Sequence, residues 1–280
     1  MSRTFTAALV QTNSGNDPAA NGDMIVARIK EAAGLGADFV MFPEVVTLVE
    51  TGAKNVAPKV TSFAADPNLP RFRDAAREAG VWVLIGSMVV EHETLDRKFA
   101  NRSVLISDTG EIVATYDKIH MFDVDLENGE SYRESKSYEP GTRAVVADTP
   151  WGKLGLTICY DIRFPHLYRG LAQAGAQMIA IPASFTRPTG RAHWHILMRA
   201  RAVETGCFVF APAQTGEHMD GRKTYGHSLI VDPWGEVLAD GGEDTGIVLA
   251  EIDLDLVDKA RAKVPSLTHD RPFDGAGTPN

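Results

Sequence analysis

Short apolar runs alternate along the chain with segments whose apolar residues recur every three or four positions, the patterns of strands and helices. Thr4–Gln11 alternates weakly and predicts a strand. Asn21–Ala33 carries Ile25, Ile29, Ala32 and Ala33 at helical spacing and ends in Gly34-Leu35-Gly36, which predicts a helix and its stop. Phe39–Phe42 reads as a short buried strand halted by Pro43, Arg71–Ala79 as a helix ending at Gly80, and Val81–Val90 as a strand. Ser103–Ser107 and Glu111–Tyr116 flank Asp108-Thr109-Gly110, a hairpin signal. Further strands are predicted at Ala144–Val146, Leu154–Ile158, Met178–Ile181 and Phe208–Ala211, with helices at His166–Ala174 and about His193–Thr205. Leu229–Val231 and Glu236–Ala239 form a second hairpin, Gly246–Ile252 the last strand and Asp255–Ala262 the last helix.

Strands alternating with helices throughout predict an α/β protein. No linker or low-complexity tract divides it, so residues 1–273 are expected to form a single domain and 274–280 a flexible C-terminal tail. The two hairpins echo each other: Ile106–Ala114 and Ile230–Ala239 both place Gly-Glu after the turn, as two similar halves would.

Bulk properties narrow the function. At 280 residues, 44% hydrophobic and 23% charged, the chain can bury a full core. No apolar run approaches the ~18 residues that cross a bilayer. The start, MSRTFTAALVQTN, turns polar too soon for a signal peptide, which points to the cytoplasm. A net charge of −9 disfavours nucleic acid or an anionic membrane as partner. The cysteines Cys159 and Cys207 make no disulfide framework. HExxH and CxxC are absent and Gly34-Leu35-Gly36 ends a helix instead of following a strand, so neither a metal nor a dinucleotide cofactor is expected.

The most telling segment is Leu154–Pro165, LGLTICYDIRFP. Its apolar run ends at Cys159, a polar turn follows, and Pro165 opens a helix. A thiol at a strand end just before a helix is rigidly held yet can reach a substrate. A lone cysteine also packs as a small hydrophobe, and the residue alone admits both readings. Only roughly 3% of a free thiol is thiolate at neutral pH, so a nucleophile needs a base or a cation beside it. None of the eight histidines stands out for this role. Glu44, ending Phe39–Glu44, lies where sheet edges carry active sites and suits a group that takes and returns a proton. Lys118 follows a strand-like run and has the charge to hold an oxyanion. Each admits a plain surface reading in isolation.

Phe42-Pro43-Glu44, Asp117-Lys118-Ile119-His120 and Ile158-Cys159-Tyr160-Asp161 occur in this order. Together they resemble the carbon–nitrogen hydrolase (nitrilase) superfamily and its Glu-Lys-Cys triad, from Phe5 to about Phe273. The resemblance implies a four-layer α-β-β-α sandwich with an internal pseudo-two-fold, and homodimers or higher oligomers paired across a helical face. By matching position it implies Cys159 as nucleophile, Glu44 as proton carrier, and Lys118 with the N–H of Tyr160 as oxyanion donors. The family's second carboxylate precedes a Pro-Gly turn and is matched to Glu134, with Glu139 the rival.

Nitrile-cleaving members carry Trp-Glu after the nucleophile, whereas Tyr160-Asp161 resembles amidase branches. Gly190–Trp194, Arg199–Glu204 and Tyr225–Ser228 with Asp232–Glu236 are similar to the Nit branch, whose members cleave the side-chain amide of a 2-oxo acid. This implies a small anionic amide as substrate. Deaminated glutathione, releasing Cys-Gly, is ranked first, 2-oxoglutaramate second, and another carboxylate-bearing amide or a carbamoyl amino acid after them. Arg163 is the candidate for the 2-oxo acid carboxylate, with a structural ion pair as its alternative. Ser184 and Phe185 are expected in the pocket wall, and Arg187 and Arg191 are candidates for a second carboxylate.

Overall fold

The computed structural model describes residues 3–95, 98–126, 129, 131–273 and 275. The expected tail, 274–280, lies outside the described residues apart from Gly275. The first half runs β1 (Thr4–Gln11), α1 (Pro18–Gly34), β2 (Phe39–Met41), a short α2 (Ala53–Val56), α3 (Leu69–Ala79), β3 (Trp82–Glu91), β4 (Phe99–Ile106), β5 (Ile112–Asp117), and a small hairpin of β6 (Asp123–Asp125) and β7 (Ser131–Arg133). The second half runs β8 (Val145–Asp148), β9 (Lys153–Leu156), α4 (Pro165–Gln173), β10 (Met178–Ala180), α5 (Arg187–Thr205), β11 (Phe208–Ala211), a hairpin of β12 (Thr215–Glu217) and β13 (Lys223–Tyr225), then β14 (Leu229–Val231), β15 (Val237–Asp240), β16 (Gly246–Asp253) and α6 (Asp255–Lys263).

Two six-stranded sheets result, ordered β16-β1-β2-β3-β4-β5 and β15-β14-β11-β10-β9-β8. From β5 to β16 the neighbours pair antiparallel, antiparallel, parallel, parallel, antiparallel. From β15 to β8 the same series recurs. The halves are therefore repeats, except that the strand beside β1 comes from the C-terminal end of the chain. The hairpin echo marks equivalent corners. In both, the register slips at the strand end, between Leu105 and Ile106 and between Ile230 and Val231. Both turns close by a bond across three intervening residues, Ser107 N–H to Glu111 and Asp232 N–H to Glu236, each 2.9 Å. Gly110 and Gly235 take the positive φ that each turn needs.

Strand alternation sorts side chains into layers. On the first sheet Ala8, Val10, Val40, Phe42, Val83 and Ile85 pack under α1 and α3 with Ile25, Ile29, Phe72 and Ala75. Phe5, Leu9, Phe39, Met41 and Leu84 face the second sheet and share its core. Phe5 meets Phe210 edge-on at 6.3 Å and stacks on Trp151 at 4.4 Å. The other face of the second sheet lies under α4, where Thr157 Oγ1 is 2.9 Å from the hydroxyl of Tyr168. The order is thus helix, sheet, sheet, helix. Each large side chain buried between layers contributes about 1.5–3 kcal/mol. No described helix is long and apolar enough to cross a membrane.

The sequence reading differs from this structure in detail. The expected turn after Cys159 is a 3₁₀ helix, Cys159–Arg163. The short hairpins β6–β7 and β12–β13 were not predicted, because three-residue strands carry too little alternation to register.

The halves meet most tightly at Gly86. A Cβ there would lie 1.7 Å from the carbonyl oxygen of Phe42 and 2.5 Å from Cβ of Pro182, the equivalent strand exits of the two sheets. Gly86→Ala must displace the Phe42 backbone and the Pro182 ring, and overpacking of this kind costs about 3 kcal/mol. Denaturant unfolding is expected to show that loss, whereas Gly34→Ala, with open space around its Cβ position, should cost far less.

Candidate active site

Three sequence segments converge where the strands of both sheets leave the core. Glu44 follows β2 across Phe42-Pro43. The next residue, Val45, holds φ at 50°, a left-handed backbone that a β-branched side chain rarely takes. The turn persists because Ser87 clamps it: its Oγ accepts the Val45 N–H at 2.7 Å, its carbonyl the Val46 N–H at 3.1 Å, and its own N–H donates to Pro43 at 3.1 Å. Cys159 likewise follows β9 with φ at 47°. Its N–H donates to the carbonyl of Pro182 at 2.9 Å. Both segments bear strain at the point where their side chains turn toward a common cavity.

Lys118 extends from the end of β5 and is 2% exposed. Its Nζ donates to Glu44 Oε1 at 2.8 Å and to Glu134 Oε1 and Oε2 at 3.1 and 2.8 Å. Of the two sequence candidates for the second carboxylate, the structure brings Glu134 to the lysine. Glu139 instead has its carboxylate 3.9 Å from Lys98. Asn101, a β4 residue without any sequence signal, donates from one Nδ2 to Glu44 at 3.0 Å and Glu134 at 3.3 Å. Glu44 Oε2 accepts the Ser184 N–H at 2.9 Å, and Glu134 Oε2 the Phe122 N–H at 2.6 Å.

Burial alone would lower the Lys118 pKa, but the charges of Glu134 and Glu44 outweigh it and hold the ammonium well above its ordinary range. The Cys159 thiol moves up instead. Burial is the largest cause, followed by the charge of Glu44, while Lys118 pulls the other way. At neutral pH the site therefore holds an ammonium and a protonated thiol close to the Glu44 carboxylate. Such a thiol can attack as its proton passes to that carboxylate, with no thiolate formed beforehand.

A further buried carboxylate fixes the frame. Asp161 Oδ2 accepts the Tyr116 hydroxyl at 2.7 Å and the Ile158 N–H at 2.8 Å, and Oδ1 accepts the His120 N–H at 3.0 Å. The His120 ring nitrogen Nδ1 lies 2.7 Å from the same Oδ1. This group therefore ties the turn of the thiol to the strand and loop that carry Lys118.

The cluster opens into a cavity of about 190 Å³, lined by Tyr138, Tyr160, Ser184, Phe185 and Thr186 among others. The Ser184 hydroxyl is buried without a hydrogen-bond partner. Tyr138 is held protonated, first by burial and then by the charge of Glu134, so it keeps a donor at the wall. Arg163 is not in the lining. Its guanidinium stands against the rings of Tyr160 at 5.8 Å and Phe185 at 5.6 Å and is 3.3 Å from Nδ1 of His193. Arg187 and Arg191 are also outside the lining, whereas Arg133 and Arg222, which sequence reasoning missed, are within it. Cys207 is fully buried, its Sγ 3.2 Å from the carbonyl of Ala176.

Residues 6–262 match the family model described as carbon-nitrogen hydrolase. The chain is 40% identical over 271 residues to the deaminated glutathione amidase of Yersinia enterocolitica, covering 96% of this chain and 94% of that protein. It is 39% identical over 272 residues to the human protein of that name, covering 95% and 82%. Among solved structures, the C. elegans NitFhit protein matches with a TM-score of 0.89 and 35% identity, covering 96% of this chain and 66% of that longer one. Saccharomyces cerevisiae Nit3, a member of branch 10 of the nitrilase superfamily, matches with a TM-score of 0.86 and 29% identity, covering 96% and 97%.

Removing the buried ammonium should expose what it balances. Lys118→Met leaves Glu44 and Glu134 facing each other, and breaking such a buried arrangement costs about 3–5 kcal/mol. Urea unfolding of both proteins at pH 7 checks the size, and a loss below about 1 kcal/mol would contradict the buried pairing.

Proposed function

The chain belongs to the carbon–nitrogen hydrolase family and is a hydrolase of carbon–nitrogen bonds other than peptide bonds; from that premise we propose that it is a thiol amidase working through Glu44, Lys118 and Cys159. In this reading Cys159 Sγ attacks the amide carbonyl carbon while its proton passes to Glu44. The resulting oxyanion is held by Lys118 and the backbone N–H of Tyr160. Glu44 then gives the proton to the departing nitrogen, the carbon–nitrogen bond breaks, and a thioester remains on Cys159. A water replaces the amine, loses a proton to Glu44, and attacks the thioester. Carboxylate leaves and the proton returns to sulfur, so the cycle closes.

The observation that carries the proposal is the buried ammonium 2.8 Å from the Glu44 carboxylate, with the Cys159 thiol on the wall of the same cavity. Base, cation and nucleophile share one water-poor site, where charge stabilisation is strong. Glu134 and Asn101 keep Lys118 and Glu44 in place, and Tyr160, Ser184 and Phe185 form the substrate wall. Arg163, lying against the two aromatic rings, supports that wall from behind.

For the substrate we favour deaminated glutathione, hydrolysed to 2-oxoglutarate and Cys-Gly. The names of relatives at 36–40% identity over nearly the whole chain support this choice. The exposed Ile196 and Val203 of α5, with Trp234 exposed nearby, support pairing of two copies across this helical face.

Cys159→Ala should lower kcat at least about a thousandfold, and Glu44→Gln about a hundredfold or more, because neither attack nor protonation of the leaving nitrogen then has its group. Both variants should stay folded by circular dichroism. The wild-type kcat/KM for deaminated glutathione should exceed that for 2-oxoglutaramate at least about tenfold. The reverse order would move the assignment to 2-oxoglutaramate, and full activity of Cys159→Ala would refute the mechanism.

A further inference from the structure

The cavity is lined by three described carboxylates, Glu44, Glu50 and Glu134, and three described cations, Lys118, Arg133 and Arg222. Nearly all are already committed. Lys118 serves Glu44 and Glu134. Glu50 takes Lys59 at 2.7 Å and Asn16 at 3.2 Å. Arg133 donates to both oxygens of Asp125, at 2.7 and 2.8 Å, and to the carbonyls of Val124 and Tyr132.

Arg222 differs. Its nearest described carboxylate oxygen, on Asp220, is 3.6 Å from Nη2, beyond a normal hydrogen bond. That Asp220 already accepts from the Thr51 hydroxyl at 2.6 Å and from the Arg222 backbone N–H at 3.0 Å. The guanidinium instead lies over the ring of Tyr132, 6.0 Å from its centroid.

The hairpin that carries this arginine is not loose. His218, 3% exposed, has Nδ1 3.0 Å from the Ser14 carbonyl and Nε2 2.8 Å from the Thr224 hydroxyl. The His218 N–H donates to the Arg222 carbonyl at 2.8 Å. Thr224 pairs with Thr186 beside the cavity, and Thr51 holds the tip through Asp220. A guanidinium carried on a fixed hairpin, with no side-chain hydrogen bond to a described carboxylate, in a wall whose other two cations are already paired, is a fork for one carboxylate of a ligand.

We propose that Arg222 anchors a carboxylate of the substrate by paired N–H···O bonds and so makes this cavity select anionic amides. The inference rests on the amidase reading above and names the residue that sets its substrate class. Two carboxylates of deaminated glutathione could take the place, that of the 2-oxo acid and that of the glycine in the leaving dipeptide. 2-Oxoglutaramate has only the first.

The test compares wild type, Arg222→Gln and Arg222→Lys on deaminated glutathione, 2-oxoglutaramate and a neutral aliphatic amide, after thermal unfolding has shown which variants fold. Arg222→Gln should raise KM for deaminated glutathione roughly 10- to 100-fold, the size expected when a charge-assisted bond is lost, with kcat within a few-fold. Arg222→Lys should recover part of the loss, and kcat/KM for the neutral amide should not fall. A rise shared by 2-oxoglutaramate assigns the 2-oxo acid carboxylate; a rise confined to deaminated glutathione assigns the glycine carboxylate. Unchanged KM for both acids in Arg222→Gln, or in Arg222→Lys should the first variant not fold, overturns the proposal. Calorimetric titration of 2-oxoglutarate and of Cys-Gly into the unreactive Cys159→Ala background, with and without Arg222→Gln, reads the anchor without turnover. It separates failure of the anchor from failure of the amidase reading: the anchor stands if either ligand binds more weakly without Arg222 and falls if neither does.

Discussion

The buried ammonium of Lys118 is the constraint on which the rest depends. Two carboxylates and a thiol are packed around it out of water, an arrangement that desolvation alone would expel. It holds because every charged atom has a partner: Lys118 bonds both carboxylates, Asn101 bridges them, and the backbone N–H groups of Ser184 and Phe122 donate to Glu44 Oε2 and Glu134 Oε2. Burial and the charge of Glu44 keep the thiol protonated, and in the proposed mechanism its proton passes to Glu44 as the sulfur attacks.

That arrangement requires both halves of the molecule. Glu44, Asn101, Lys118 and Glu134 come from the first repeat and its following loop, Cys159 and Ser184 from the second. The equivalent exits at Phe42-Pro43 and Ile181-Pro182 meet against Gly86, where no side chain fits. Asp161 joins the repeats again, with Tyr116 and His120 on one side and Ile158 on the other. The internal repeat is therefore more than a packing solution. It supplies two strand exits that point at each other, each with a left-handed residue that turns a side chain inward.

Much of this was legible in the chain. Strands β1, β11 and β14 have the bounds their apolar runs predict, since periodicity reports burial directly. Glu44, Lys118 and Cys159 stood out because each closes an apolar run. Asn101 did not, because one amide inside a strand leaves no pattern. Arg222 was hidden in a hairpin whose strands are too short to announce themselves. Four residues along a 3₁₀ helix of three residues per turn do not return to the same face, and the Arg163 guanidinium stands against the rings of Tyr160 and Phe185, outside the cavity lining.

The central claim is that Cys159 carries the acyl group between two proton transfers. Rapid-quench intact-mass and peptide analysis during turnover of deaminated glutathione tests it most directly. The account predicts a transient mass gain equal to a 2-oxoglutaryl group on the peptide containing Cys159 and none on Cys207, discharged at a rate no slower than kcat. Steady hydrolysis of the substrate by an enzyme whose Cys159 stays unmodified at every time point, with single-turnover sampling faster than kcat, would contradict it.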